Sequence, residues 1–198
     1  MKDIFEERER ALEGQYFKKQ DEALLQKMRE RAALQEVAHA LADKLRVDDQ
    51  ELLRRVVDLG LTRETGAAIL LAPLVQVAWA GGSVTERERE VVLEIAASRG
   101  LEPGSPPHAQ LTAWLERRPP DTLFETAMEV MKAGLALFTP AERAARIHEI
   151  VGGCQRVAEA SGAGLAKLLG LASGVSSDEA AVLDAITSKL HAAPDPRG

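Results

Sequence analysis

The chain has 198 residues, 45% apolar and 28% charged, proportions that suit one sizeable soluble core and argue against a disordered or fibrous polypeptide. A net charge of −6, with no Lys/Arg cluster lacking nearby acids, excludes general affinity for nucleic acid; the single cysteine, Cys154, excludes an intramolecular disulfide and any multi-cysteine zinc site. Aromatics reach only 4% while Ala, Leu, Glu and Arg abound, which predicts an all-α protein, and a charged N-terminus without any long apolar run predicts a cytoplasmic one with no transmembrane segment.

Residues 1–31 form a compositional block of their own. Eight acids and eight bases cancel there, so the excess negative charge lies in the remainder. Phe5, Leu12, Tyr16, Leu24 and Met28 follow at steps of seven, four, eight and four, which predicts a sparse apolar stripe along an amphipathic helical arm. Two readings of the arm stand side by side. It is either a solvated helix laid over its own domain, or a projecting element that docks on a partner or a second copy through Phe5, Leu12, Tyr16, Phe17 and Leu24. A membrane-surface role is disfavoured, because the polar face has no net positive charge.

Residues 32–191 predict a compact helical bundle. Leu34, Val37, Ala38, Leu41 and Leu45 share a face, Asp48 with Glu51 predicts a cap for the next helix, and Gly60 predicts its stop. A nearly all-apolar segment from Arg63 to Ala80 predicts the central helix. Pro73 inside it predicts a break between Ile69 and Pro73. Further helices are predicted over 86–98, from Ser105-Pro106 to Leu115, from a Thr122/Glu125 cap to Leu137, and from Thr139-Pro140 with Glu142 to Ser161. A short turn at 165–169, a last helix over 178–191 and a frayed tail at 192–198 complete a bundle of seven to eight helices.

One phrase is written twice. Val84-Thr85-Glu86-Arg87-Glu88, followed by Val91, Val92 and Ile95, returns 91 residues later as Val175-Ser176-Ser177-Asp178-Glu179, followed by Val182, Leu183 and Ile186. Each copy has the hydroxyl and the glutamate, three residues apart, of a capping box. Two copies at that separation predict a pseudo-symmetric pair of hairpins with their glycine-bearing turns close together.

Together with Ala78 to Ser83, the Gly104-Ser105-Pro106 helix and Trp114-Leu115, these phrases resemble the TerB fold of tellurite-resistance proteins, a bundle also attached to some co-chaperones, over roughly residues 61–190. The resemblance implies a stress-associated helical module. In that family an aspartate in the first turn, with downstream glutamates, is implicated in binding divalent cations; here Gly81 and Ala172 stand at the two corresponding positions. No metal and no cofactor are therefore expected. A cation, were one held, would fall to Glu86, Glu88, Asp178 and Glu179. The first sixty residues, from Phe5-Glu6-Glu7-Arg8 through Tyr16-Phe17 to Ala42 and Leu45, are also similar to the opening of the zeta-type inhibitor of the bacterial rotary ATPase, whose N-terminal segment reaches into the enzyme.

No catalytic set is expected. His39, His108, His148 and His191 stand at no metal-pair or catalytic spacing, and Gly81-Gly82 and Gly152-Gly153 belong to no phosphate-binding fingerprint. Trp79, Trp114 and Cys154 read as packing residues. The sequence thus predicts a non-enzymatic interaction module working through its arm, with ATPase regulation and cation-dependent stress sensing as alternatives.

Overall fold

The structure, a computed structural model, describes residues 2–45, 47, 49–160 and 176–192, and the side chains from residue 14 onward except 43–45. Asp48, the turn at 165–169, Ser173-Gly174 and the tail beyond Ala192 lie outside the described residues.

Eight α-helices and no strand occur among the described residues. They are α1 (Lys2–Leu45), α2 (Gln50–Asp58), α3 (Ala72–Ala78), α4 (Glu86–Ser98), α5 (Pro106–Glu116), α6 (Asp121–Leu135), α7 (Pro140–Ala160) and α8 (Ser177–His191), with a 3-10 helix at Gly66–Leu71. The expected all-α bundle is what forms.

At the centre lies α3, short and buried at nearly every position, touching α4, α5, α6, α7 and α8. The sequence predicted one helix here with a break before Pro73. The break takes the form of the 3-10 helix, after which α3 starts with Pro73 in its first turn, where a missing N–H costs no intrahelical bond. Beyond α3 the Trp79 indole N–H donates to the carbonyl of Trp114 at 2.8 Å and ties the end of α3 to the end of α5.

Two expected caps are corrected. Asp49, not Asp48, caps α2: its backbone is extended, and its Oδ1 accepts from the amides of Glu51 and Leu52 at 3.0 Å each. Thr122 does not cap α6 either. Pro120, held extended by its ring, is the last non-helical residue, so the helix starts at Asp121 and Thr122 falls inside the first turn. Arg118 holds the Asp121 carboxylate at 2.6 Å instead.

Helix α7 lies against α3, α4 and α8, and its glycine pair shows why. A methyl on Gly153 would sit 3.3 Å from Leu74 Cδ2, closer than ordinary contact, whereas a methyl on Gly152 would meet nothing within 4 Å. Only Gly153 buys close approach. Gly152→Ala is therefore expected to raise the unfolding free energy by about 0.5–1 kcal/mol through helix propensity alone. Gly153→Val is expected to lower it by about 1–3 kcal/mol through overpacking. Urea denaturation of both variants checks this pair, and equal stability for the two would contradict the packing described.

Candidate functional site

The twice-written phrase produces two matching helix starts. Gly82, at φ 85°, turns the chain into α4, and Thr85 adopts the extended backbone of a cap. Glu88 Oε2 accepts from the Thr85 amide and hydroxyl, both at 2.7 Å, and the Thr85 hydroxyl accepts from the Glu88 amide at 3.2 Å. At α8 the arrangement is the same. Glu179 Oε2 accepts from the Ser176 amide at 2.7 Å, and Ser176 Oγ accepts from the Glu179 amide at 3.3 Å.

The two boxes meet. Glu88 and Glu179 are each only 2% exposed, and their carboxyls lie near enough for Glu179 to act on the proton affinity of Glu88. Two neighbouring buried carboxyls disfavour a second negative charge. Burial pushes the Glu88 carboxyl above the usual glutamate range; the Thr85 bonds pull the other way, while the neighbouring Glu179 carboxyl pushes further up. A third capping box supplies a contrast. Thr139 and Glu142 make the same bonds at the start of α7 on the open surface, and there the Thr139 bonds lower the Glu142 carboxyl, with Arg146 adding to the effect. The same local motif therefore has opposite proton affinity, according to whether it is buried beside a second copy.

This donor set does not fit a hard cation. Calcium takes roughly six to eight oxygens and magnesium about six. Here two carboxyls converge with their Oε2 atoms already bound to the caps, while Glu86 and Asp178 stay on the exposed side of their helices. No group of three or more His, Cys, Asp or Glu able to hold a metal occurs among the described residues.

The arm is continuous with the bundle. Helix α1 runs without a break through residue 31, and every residue from 14 to 32 is exposed before Leu34, Val37 and Leu41 turn into the core. Tyr16, Phe17, Leu24, Leu25 and Met28 are each more than half exposed. The side chains of Phe5 and Leu12 lie outside the described residues.

On one unbroken helix the expected single stripe divides. The step of eight from Tyr16 to Leu24 turns the helix by about 80°, so these two lie on different sides, and Phe17 joins Leu24 and Met28 in a sector about 40° wide. That sector lies about 120° round from the face on which Leu34, Val37 and Leu41 enter the core. Tyr16 flanks it, its ring edge-on to Phe17 at 6.1 Å and its hydroxyl accepting from Gln20 Nε2 at 2.9 Å.

Compared with protein-family models, with curated proteins and with solved structures, the chain matches none. The site must be read from its own chemistry. Of the other groups singled out in the sequence, His39, His148 and His191 are exposed and His108 is half-buried. Cys154 is fully buried against the core, and burial pushes its thiol up to about 12 although Arg99 acts in the opposite direction. Such a thiol is not poised as a nucleophile. Trp114 is buried within the core cluster, and Trp79 is half-buried and packed against it.

Sequence reasoning gave each capping glutamate its local role and missed that the two form a pair. The signal was present in the identical placement of a glutamate at the third position of both helices. It also missed a cleft between α4 and α7, described below, for which no local pattern gives notice.

Proposed function

We propose that the protein is a non-catalytic helical interaction module of TerB-like type, cytoplasmic and stress-associated, that holds a protein partner or a second copy of itself through the N-terminal half of α1. One observation carries this reading. Phe17, Leu24 and Met28 form an exposed apolar stripe on a face that the bundle does not use. Solvating such a stripe brings no stability, and helix-in-groove recognition uses anchors at this kind of spacing. Capping also explains Glu88 and Glu179 without an ion, which supports a scaffold over a cation sensor.

The same observation supports a second reading, a zeta-like regulator that inserts the arm into a rotary ATPase. The thirty helical residues 2–31 reach about 45 Å, enough to enter a neighbouring assembly.

Deleting residues 1–31 tests the proposal. The remaining chain is expected to keep its helical circular dichroism and melting temperature, because among the described residues the first buried side chains of α1 come after the cut. Any complex isolated with the full chain is expected to be lost. Retained association would remove the arm from the account, and ATPase inhibition by the excised segment would select the second reading.

A further inference from the structure

A cleft of about 290 Å³ opens between the 3-10 helix, the end of α4, α6 and the first half of α7. Its walls are apolar, with Leu70, Leu101 and Ile150 facing the space. Two guanidinium groups stand at its mouth. Arg99, the residue that ends α4, donates through Nη2 to the backbone carbonyl of Glu149 at 3.3 Å. Arg146 lies over the Phe138 ring, 4.0 Å from its centroid, which fixes the direction of the side chain.

Neither arginine has a carboxylate oxygen within 4 Å among the described residues, although Arg89 and Arg156, on the same two helices, each pair with a glutamate. Their charges reach other groups only at longer range: Arg99 acts on the Cys154 thiol and Arg146 on the exposed Glu142. One acid shares the rim, the exposed Glu149, so the mouth carries a net charge of about +1 on a protein that is negative as a whole.

We propose that this cleft binds a linear medium-chain carboxylate, a fatty acid of about eight carbons, with its tail on the apolar wall and its carboxylate between Arg99 and Arg146. The volume admits about ten groups of water size at roughly 30 Å³ each, which matches the ten non-hydrogen atoms of octanoate. The planar guanidinium fork matches a carboxylate in shape, and a rim of about one net positive charge suits a monoanion. A neutral tail alone would leave both guanidinium groups without a carboxylate partner. This site is independent of the arm and lies in the bundle.

The test titrates the full chain with sodium octanoate and, separately, with 1-octanol, following the amide signals of Leu70, Leu101 and Ile150 by NMR. Octanoate is expected to saturate these shifts with an affinity about tenfold or more above that of octanol, the contrast carried by hydrogen bonds to a charged group. Arg146→Gln, an exposed position, and Arg99→Gln are each expected to bring octanoate towards octanol while leaving octanol unchanged. Glu149→Gln is expected to tighten octanoate alone. Equal affinity for acid and alcohol, no saturable shift with octanoate, or unaltered octanoate binding in Arg146→Gln would each overturn the proposal. Should Arg99→Gln fail to fold, the acid–alcohol comparison and Arg146→Gln still decide it.

Discussion

Phe17→Glu, Leu24→Glu and Met28→Glu introduced together are expected to abolish association with the partner and leave the melting temperature of the chain unchanged. The two outcomes have one cause. Each of these side chains is more than half exposed on a helix face that packs against nothing, so its replacement removes no native contact. Surface changes of this kind stay within about 0.5 kcal/mol, and glutamate is as good a helix former as the residues it replaces. In a complex the stripe would be covered. Burying an apolar side chain contributes about 1.5–3 kcal/mol, so losing three anchors and burying charge in their place weakens binding by roughly a thousandfold or more. Sedimentation velocity measures the association and circular dichroism the melting. A drop of several degrees would show that the stripe packs within its own fold.

Glu88→Ala is expected to lower the unfolding free energy by about 2–3 kcal/mol, whereas Glu88→Gln stabilises the protein at neutral pH. Alanine removes the acceptor for the part-buried Thr85 amide and hydroxyl and breaks the box, a loss made of a cap and the hydrogen bonds that close it. Glutamine keeps an oxygen for that amide and places an N–H where the Glu179 carboxylate can accept it. The gain is about 1 kcal/mol, the size of one hydrogen bond made without forcing two charges together.

The pH dependence follows from the direction of the Glu88 shift. Its folded-state affinity for a proton exceeds the unfolded one, so as pH rises above the ordinary glutamate value the unfolded chain loses this proton first. Over that window the native state binds more protons and stability falls with rising pH, levelling off once the raised value is passed. Glu88→Gln lacks this decline, so its advantage grows with pH across the window and then stays constant. Glu142 acts with the opposite sign, its stabilisation fading as pH falls through its lowered value, and it cancels when variant and parent are compared. Denaturant titrations from pH 4 to pH 8 check the pattern.

Features that depend on three or four neighbouring residues were legible in the sequence. The boxes at Thr85, Thr139 and Ser176 form as read, because hydroxyl and glutamate lie within one turn and need no help from the rest of the chain. The break at Pro73 is equally local. Where two side chains could serve, locality ran out: Asp48 and Asp49 are chemically identical candidates, and only the extended backbone at Asp49 and its bonds to the Glu51 and Leu52 amides identify the cap. The compositional boundary at residue 31 corresponds to no structural break, since no proline interrupts the chain before Pro73 and the helix continues straight into the core.

The candidate sites show the same limit more sharply. Glu88 and Glu179 are 91 residues apart and Arg99 and Arg146 are 47 apart, and both pairs arise only once α7 has packed against α4 and α8. The phrase that marked each glutamate as a cap gave no sign of its proton affinity, because burial and the neighbouring carboxyl are properties of the assembled bundle.

That the two matching helix starts bring together two buried carboxyls, with the proton affinity of Glu88 raised and a donor set that suits no hard cation, is the claim that separates a scaffold from a cation sensor. Carbon-13 NMR titration of the Glu88 and Glu179 carboxyl carbons, with and without millimolar calcium or magnesium, tests it directly. The account predicts that Glu88 titrates above the usual glutamate range and that neither cation moves the signals of the pair. Titration in the ordinary range, or a saturable shift of both carboxyls on adding either cation, would contradict it.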